Sequence, residues 1–225
     1  LNRGVIIMKR ALRPFAAVLL ALGLLVAAHP SPSSAETFEQ RARSFVDTVG
    51  AEAIQTFGTP DKAERYAHFR EMLTRCFDLP TIGRYVLGQY AARFTPEQMA
   101  SFMAAFEDYV VANYAAKQWD VKGVRIEIAS TAQNNPDDIA VDTLIHIPHK
   151  SNKPIAMGWR IYNAGAAPQI IDLKVDGLSL VVSQRAEFGS VLQQKKGDVK
   201  EFVAFIQART RQLDGSAPVS KAAVN

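Results

Sequence analysis

Four histidines and one cysteine are the side chains of this 225-residue chain best suited to acid–base, nucleophilic or metal chemistry. Asp142 and His146 lie four apart in an alternating stretch, so they share one strand face, where a carboxylate could orient an imidazole. Four residues of strand span about 13 Å, too far for the hydrogen bond such a dyad needs. His146 and His149 flank a turn and could supply two imidazoles to a metal, but no third ligand accompanies them. His68, between Ala67 and Phe69 in a helical pattern, reads as a packed or surface residue, and His29 falls in an apolar leader. Cys76, beside Phe77 at a helix end, reads as a packed thiol. One cysteine excludes an internal disulfide, a Cys-rich zinc site and a thioredoxin-type redox pair. Gly177-Leu178-Ser179-Leu180 lacks the second glycine of a nucleophile elbow, and no phosphate loop, H-E-x-x-H or G-x-G-x-x-G is present. Lys195, Lys196 and Lys200 read as a solvated helix end rather than an anion site. The residues therefore name no catalytic group, no metal ligand and no cofactor.

The elements that must position the remaining side chains follow from periodicity. Thr37 caps a helix carrying Phe38, Ala42, Phe45, Val46, Val49, Ala53, Ile54 and Phe57 at helical spacing, with Gly58 as its stop. Thr59-Pro60 opens a second helix with Tyr66, Phe69 and Leu73 on one side, and a short segment runs from Leu79 to Leu87. Thr95, Pro96 and Gln98 form a capping box with Pro at the first helical position, and that helix runs to about Gln118. It aligns Met99, Phe102, Met103, Phe106, Val110 and Tyr114. The period then changes to two. Val124, Ile126 and Ile128 form one alternating set, Ile139 to Ile147 a second, Ile155 to Ile161 a third, and Ile171, Leu173 and Val175 a fourth. Four strands, each with one apolar and one mostly polar face and short polar turns between them, predict an antiparallel sheet wet on one side. Ser179 to Gln194 returns to helix, and Asp198 caps a last one with Phe202, Val203 and Ile206 inward. The expected class is α+β, a four-stranded antiparallel twisted sheet with N- and C-terminal helices packed on one face.

Charge divides the chain. There are 26 Lys+Arg against 22 Asp+Glu. Arg3, Lys9, Arg10 and Arg13 all precede Ala35 in a stretch without acids, so from Glu36 onward basic and acidic residues balance. A balanced domain lacks the clustered positive charge that nucleic acid requires. The basic stretch, 14 apolar or small residues from Phe15 to Ala28 and the Ser33-Ser34-Ala35 run have the three parts of a secretory signal cut after Ala35. Fourteen residues fall short of the roughly 20 a spanning helix needs. The expected organisation is a signal peptide over 1–35, one domain over 36–214 and a loose tail over 215–225, with Met8 an alternative start. About 190 residues then remain after the cut, enough for one core without staples.

What is left is apolar: the capped helix presents Met99, Phe102, Met103, Phe106 and Val110, and Trp159 lies on an inward strand face. Such residues fill cores and line greasy pockets alike. The order of several short motifs goes further. Phe77-Asp78, Arg84-Tyr85-Val86-Leu87-Gly88 and Phe94-Thr95-Pro96-Glu97-Gln98 resemble the MlaC, or toluene-tolerance, family of periplasmic lipid carriers. Trp159-Arg160-Ile161-Tyr162, the run from Ile170 to Ser179, and Gln184-Arg185-Ala186-Glu187-Phe188 before Gly197 continue the resemblance in family order. Tyr90-Ala91-Ala92 departs from it where many members carry a Trp, and a hopanoid-associated branch shares the same pattern.

The resemblance implies an NTF2-like or cystatin-like fold enclosing a cavity for lipid tails. It implies a periplasmic carrier with no cofactor, shuttling phospholipid or a hopanoid-type lipid. Its implied partners are an outer-membrane lipoprotein complex and an inner-membrane ABC transporter complex with its substrate-binding membrane component. Inward phase within the matched segments then selects Tyr85, Leu87, Phe102, Met103, Phe106, Val110, Trp159, Ile161, Leu173, Leu178 and Phe188 as the expected lipid-contacting residues. The competing classes are an NTF2-like small-molecule enzyme, which would need an acid on the inward face, and a ligand-free periplasmic adaptor with a solid core.

Overall fold

The computed structural model describes residues 36–148, 153–163, 165 and 167–215; the expected signal peptide, His149 and the tail from 216 lie outside the described residues. Among the described residues six helices and a five-stranded sheet follow the order α1 Phe38–Gly58, α2 Lys62–Cys76, α3 Leu79–Leu87, α4 Pro96–Ala115, β1 Arg125–Asn135, β2 Asp138–His146, β3 Ile155–Asn163, β4 Pro168–Val175, β5 Leu178–Ser179, α5 Leu180–Gln194 and α6 Val199–Leu213. A 3-10 turn, Gly88–Arg93, joins α3 to the entry of α4. Among the described residues no helix is long and apolar enough to cross a membrane.

Local chemistry sets the helix ends. Thr37 and Thr95 both make full capping boxes, the threonine hydroxyl accepting from the N3 backbone N–H and Gln40 or Gln98 accepting from the cap N–H. Asp61, Asp78, Ser179 and Asp198 cap the other four helices through their side-chain oxygens. Helix α4 stops at Ala115, three residues short of the sequence expectation.

The strands form an antiparallel meander in chain order. Register puts Ile139 opposite Ile161, Val141 opposite Trp159, Thr143 opposite Met157 and Ile145 opposite Ile155, so this face is apolar apart from Thr143. The opposite face carries Asp142, Arg160 and Lys174 and is largely exposed. Two details differ from the expectation. Asp176 and Gly177 both take positive φ (48° and 85°), a turn that folds Leu178 and Ser179 back onto Val175 and Lys174 as a short fifth strand. Pairing also slips between Arg160, opposite Asp172, and Ile161, opposite Ile170. Ile171 is thus the extra residue of a bulge, and Ile170 takes the fully buried position expected for it.

The core is divided. One cluster joins the sheet to α1, α2 and the end of α4, through Ala42, Val46, Leu73, Cys76, Ile139, Val141, Ile161 and Ile170. The second lies among α3 to α6, where Phe102 stacks on Phe106 and Phe202 with centroids 5.5 and 6.0 Å apart. Phe188 meets Phe102, Phe106 and Phe202 edge-on. Phe77, Met103 and Val110 pack against both clusters.

One buried charge ties the elements around the sheet's open end. Arg65, only 3% exposed, faces carbonyls rather than a carboxylate: Nε donates to Ala115 O at 2.8 Å, one terminal nitrogen to Thr59 O at 2.6 Å and the other to Ala116 O at 3.3 Å. It joins the last carbonyls of α4, where the helix dipole is negative, to the α1–α2 turn. Removing the guanidinium strands several buried carbonyls. Arg65→Met is expected to cost about 3 kcal/mol of stability, with Arg65→Lys recovering only part of it, because an ammonium cannot span both sites. Urea denaturation of the two variants checks this.

Candidate functional site

Inward-facing apolar residues are not packed to the same depth along the sheet. At the end built from Ile139, Val141, Ile161 and Ile170 every one is essentially inaccessible. At the other end Ile126, Ile145, Ile155, Met157, Leu173 and Val175 hold the same inward phase but are only half-buried. The helices show the same gradient. Along α1, Ala42 and Val46 are fully covered, whereas Ala53, Ile54 and Phe57 are not. Along α4, Phe102 and Phe106 are covered, whereas Val110 is half-buried and Tyr114 exposed.

These under-packed positions converge on one cavity of about 380 Å³ between the sheet and the helices. Its walls come from α1 to α4, the inward positions of β1 to β4, the start of α5 and the segment from Trp119 to Val124. Branched, aromatic and Met side chains make nearly all of the lining; its charged members are Asp120 and Asp172, and no Lys or Arg lines it. Native interiors are filled to crystal density, so a void of this size bordered by apolar atoms has the character of a binding site rather than a packing flaw.

Polar groups in the wall are engaged. The Trp159 indole N–H donates to Thr143 Oγ1 at 3.0 Å, and that hydroxyl donates to Met157 O at 3.0 Å. Trp159 thus shows the cavity its ring while its N–H is satisfied on the sheet. Asp172 accepts from the Val181 N–H at 3.2 Å, which holds the start of α5 against β4. Burial pushes the Tyr109 phenol up, Glu187 adds to the rise and a hydrogen bond with Gln184 opposes it. The lining therefore offers mainly apolar contact, with few polar groups and two carboxylates, Asp120 and Asp172, each held in a hydrogen bond.

At the mouth, two direct hydrogen bonds and a bridging arginine knit the end of α1 to the chain leaving α4. The Trp119 N–H donates to Phe57 O at 2.9 Å, Gln118 Nε2 donates to Gly58 O at 3.1 Å, and Arg65 spans the same gap from beneath. The Trp119 ring stacks on Phe57 at 5.5 Å. An open recess bordered by Gly58, Gln118 and Lys122 shares Trp119, Asp120 and Val121 with the cavity, so this segment is the partition between interior and solvent.

The eleven residues expected to contact lipid separate into three groups. Phe106, Val110, Trp159 and Leu173 line the cavity. Leu87, Phe102 and Phe188 are buried in the helical aromatic cluster and Ile161 in the filled end of the sheet, while Met103 is half-buried between the two clusters. Tyr85 and Leu178 are 52% and 71% exposed. The reason is geometric: inward phase is common to cavity and solid core, and Leu178 faces solvent because the Asp176-Gly177 turn folds it back as part of a short edge strand. Sequence reasoning missed Ala53, Phe57, Met72, Ile126, Ile145, Met157 and the Trp119 segment as wall residues. Only Trp119, an aromatic just past a helix end, carried a signal that could have marked the mouth.

The polar pairs weighed in the sequence are used elsewhere. Asp142 accepts from Ser130 Oγ at 2.9 Å, and His146 meets Glu127 at 3.1 Å. His68 is exposed near Glu64, and Lys195 pairs with Glu201 at 3.2 Å. Burial raises the Cys76 thiol, which is inaccessible. Among the described residues no group of three His, Cys, Asp or Glu side chains could hold a metal ion.

Comparison with known proteins agrees with this architecture. A family model described as MlaC protein matches residues 45–208. Among solved structures, a phospholipid-binding protein from Ralstonia solanacearum, determined in complex with a phospholipid, superposes with a TM-score of 0.66 at 20% sequence identity. The match covers 76% of this chain and 98% of that one.

Truncations should distinguish wall from core. Phe188→Ala empties a filled cluster and is expected to cost about 3–5 kcal/mol, whereas Leu173→Ala, with one flank already facing empty space, should cost about 1–2 kcal/mol. Urea denaturation after refolding, which strips any bound molecule, checks the difference.

Proposed function

The chain belongs to the MlaC family, and from that premise we propose that it carries phospholipid or a related lipid, holding the tails in the cavity and leaving the headgroup wet. The observation that carries this reading is the packing gradient: apolar side chains in core phase, left half-covered around one void of about 380 Å³. A lining without Lys or Arg suits acyl or polycyclic hydrocarbon and not an anionic headgroup, which must therefore sit at the mouth.

Burying methylenes is worth about 0.8 kcal/mol each, so roughly 30 tail carbons carry a gross term of about 24 kcal/mol. Lipid therefore does not cross water alone at a useful rate, and a protein sleeve replaces the bilayer during transit. The same term makes unaided release slow, so delivery calls for a docked partner that opens the cavity. The secretory pattern of residues 1–35 and the family resemblance support a periplasmic location. There the carrier shuttles between an outer-membrane lipoprotein complex and an inner-membrane ABC transporter. The balanced charge from Glu36 onward puts recognition on local contacts rather than on long-range attraction.

Organic extraction of the purified protein followed by mass spectrometry should recover about one lipid per chain. Val110→Trp, which fills the cavity from α4, should lower lipid retention at least about tenfold with the urea midpoint little changed. Phe106 is a poorer probe, because its ring stacks on Phe102 and meets Phe188 edge-on, and a charge there would unfold the helical cluster. Repeated lipid-free preparations that also fail to take up labelled phospholipid would overturn the proposal; an enzyme or a ligand-free adaptor predicts that blank extract.

A further inference from the structure

Trp119 is 51% exposed although the largest apolar surface in the chain's repertoire is usually covered. Its exposure is built, not loose: the backbone N–H is bonded to Phe57 O, the ring is stacked on Phe57, and the chain just before it is anchored by Arg65 at Ala115 and Ala116 and by the Gln118 side chain. The indole N–H has no partner among the described residues, so the ring presents an apolar body and a free polar tip at the cavity mouth. Side chains of that kind concentrate at the boundary between lipid headgroups and acyl chains.

Charge around the ring points the same way. Lys117 and Lys122 flank it, both exposed and neither paired with a carboxylate among the described residues, and Arg125 follows. Asp120 is the single acid between Lys117 and Ile126, and its carboxylate accepts from the Lys122 backbone N–H at 3.1 Å. Phe57, which stacks on the ring, lies in a stretch, residues 53–60, without a charged residue. A chain balanced from Glu36 onward thus has a local positive surplus at its mouth.

We propose that the segment Lys117–Lys122 is an interfacial contact that seats the cavity mouth on an anionic bilayer surface, the Trp119 ring in the headgroup layer and the two lysines on lipid phosphates. The purpose of this contact rests on the lipid-carrier reading, but its test does not. Each lysine near an anionic surface contributes about 1 kcal/mol, so the pair supplies a modest, salt-sensitive attraction suited to brief visits.

Flotation of the purified protein with phosphatidylcholine vesicles containing about one-third phosphatidylglycerol, against vesicles of phosphatidylcholine alone, reads docking directly. Binding should favour the anionic vesicles and fall with added salt. Lys117→Gln with Lys122→Gln should weaken it about thirtyfold, the loss of two such contacts. Tryptophan emission should shift to the blue on vesicle addition and lose that shift in Trp119→Phe. Trp159, buried and bonded to Thr143, supplies a constant background. Equal binding to both vesicle types, binding unchanged in the variants, or a shift that depends on protein concentration without vesicles would overturn the proposal, the last pointing to a second copy of the chain. Lipid extracted from the same variants keeps the two readings apart: protein that retains lipid but does not float refutes docking alone, and protein that floats but never carries lipid refutes the carrier.

Discussion

Apolar walls collapse onto a void unless something else holds them apart, and that constraint organises this molecule. The frame is supplied from both sides. The aromatic stack of Phe102, Phe106, Phe188 and Phe202 locks the helices together, and the filled end of the sheet locks α1 and α2 to the strands. Between them α4 belongs to both, its first half sunk in the stack and its second half forming cavity wall. Arg65 then fixes the last point of the frame with a charge spent on carbonyls that no neutral side chain of that length could gather. The void persists because its surroundings are packed well enough to resist the dispersion gain of closing it.

Much of the fold is legible in the amino-acid sequence. The shift from helical to alternating period at residue 124, the caps at Thr37, Thr95 and Asp198, and the turn at Pro136 and Asp137 all act locally, and local rules hold for them. The bulge at Ile171 was not legible, because a one-residue slip between strands leaves an alternating pattern intact on paper. The fifth strand was missed because Ser179 is both its last residue and the cap of α5.

The site was legible in kind and not in detail. Phase tells which way a side chain points and nothing about how much atom density it meets, so Val110 in the wall and Phe102 in the stack looked alike. Depth of packing is set by the separation of whole layers, a property spread over many residues. Arg65 was invisible for the opposite reason: one arginine in a polar helix reads as surface, and its value comes from carbonyls some 50 residues away. The Ralstonia likeness, at its low identity, speaks to the fold, and the carrier reading rests on the cavity and the family together.

The separation of filled frame from half-filled wall has a consequence for how such a chain can change over generations. Substitutions in the aromatic stack are paid in stability, but those at Ile126, Ile145, Met157 or Leu173 meet empty space on one flank and reshape it at small cost. The wall is thus free to drift toward new cargo shapes while the frame stays put. A lineage built this way would diversify what it holds long before it diversified how it folds.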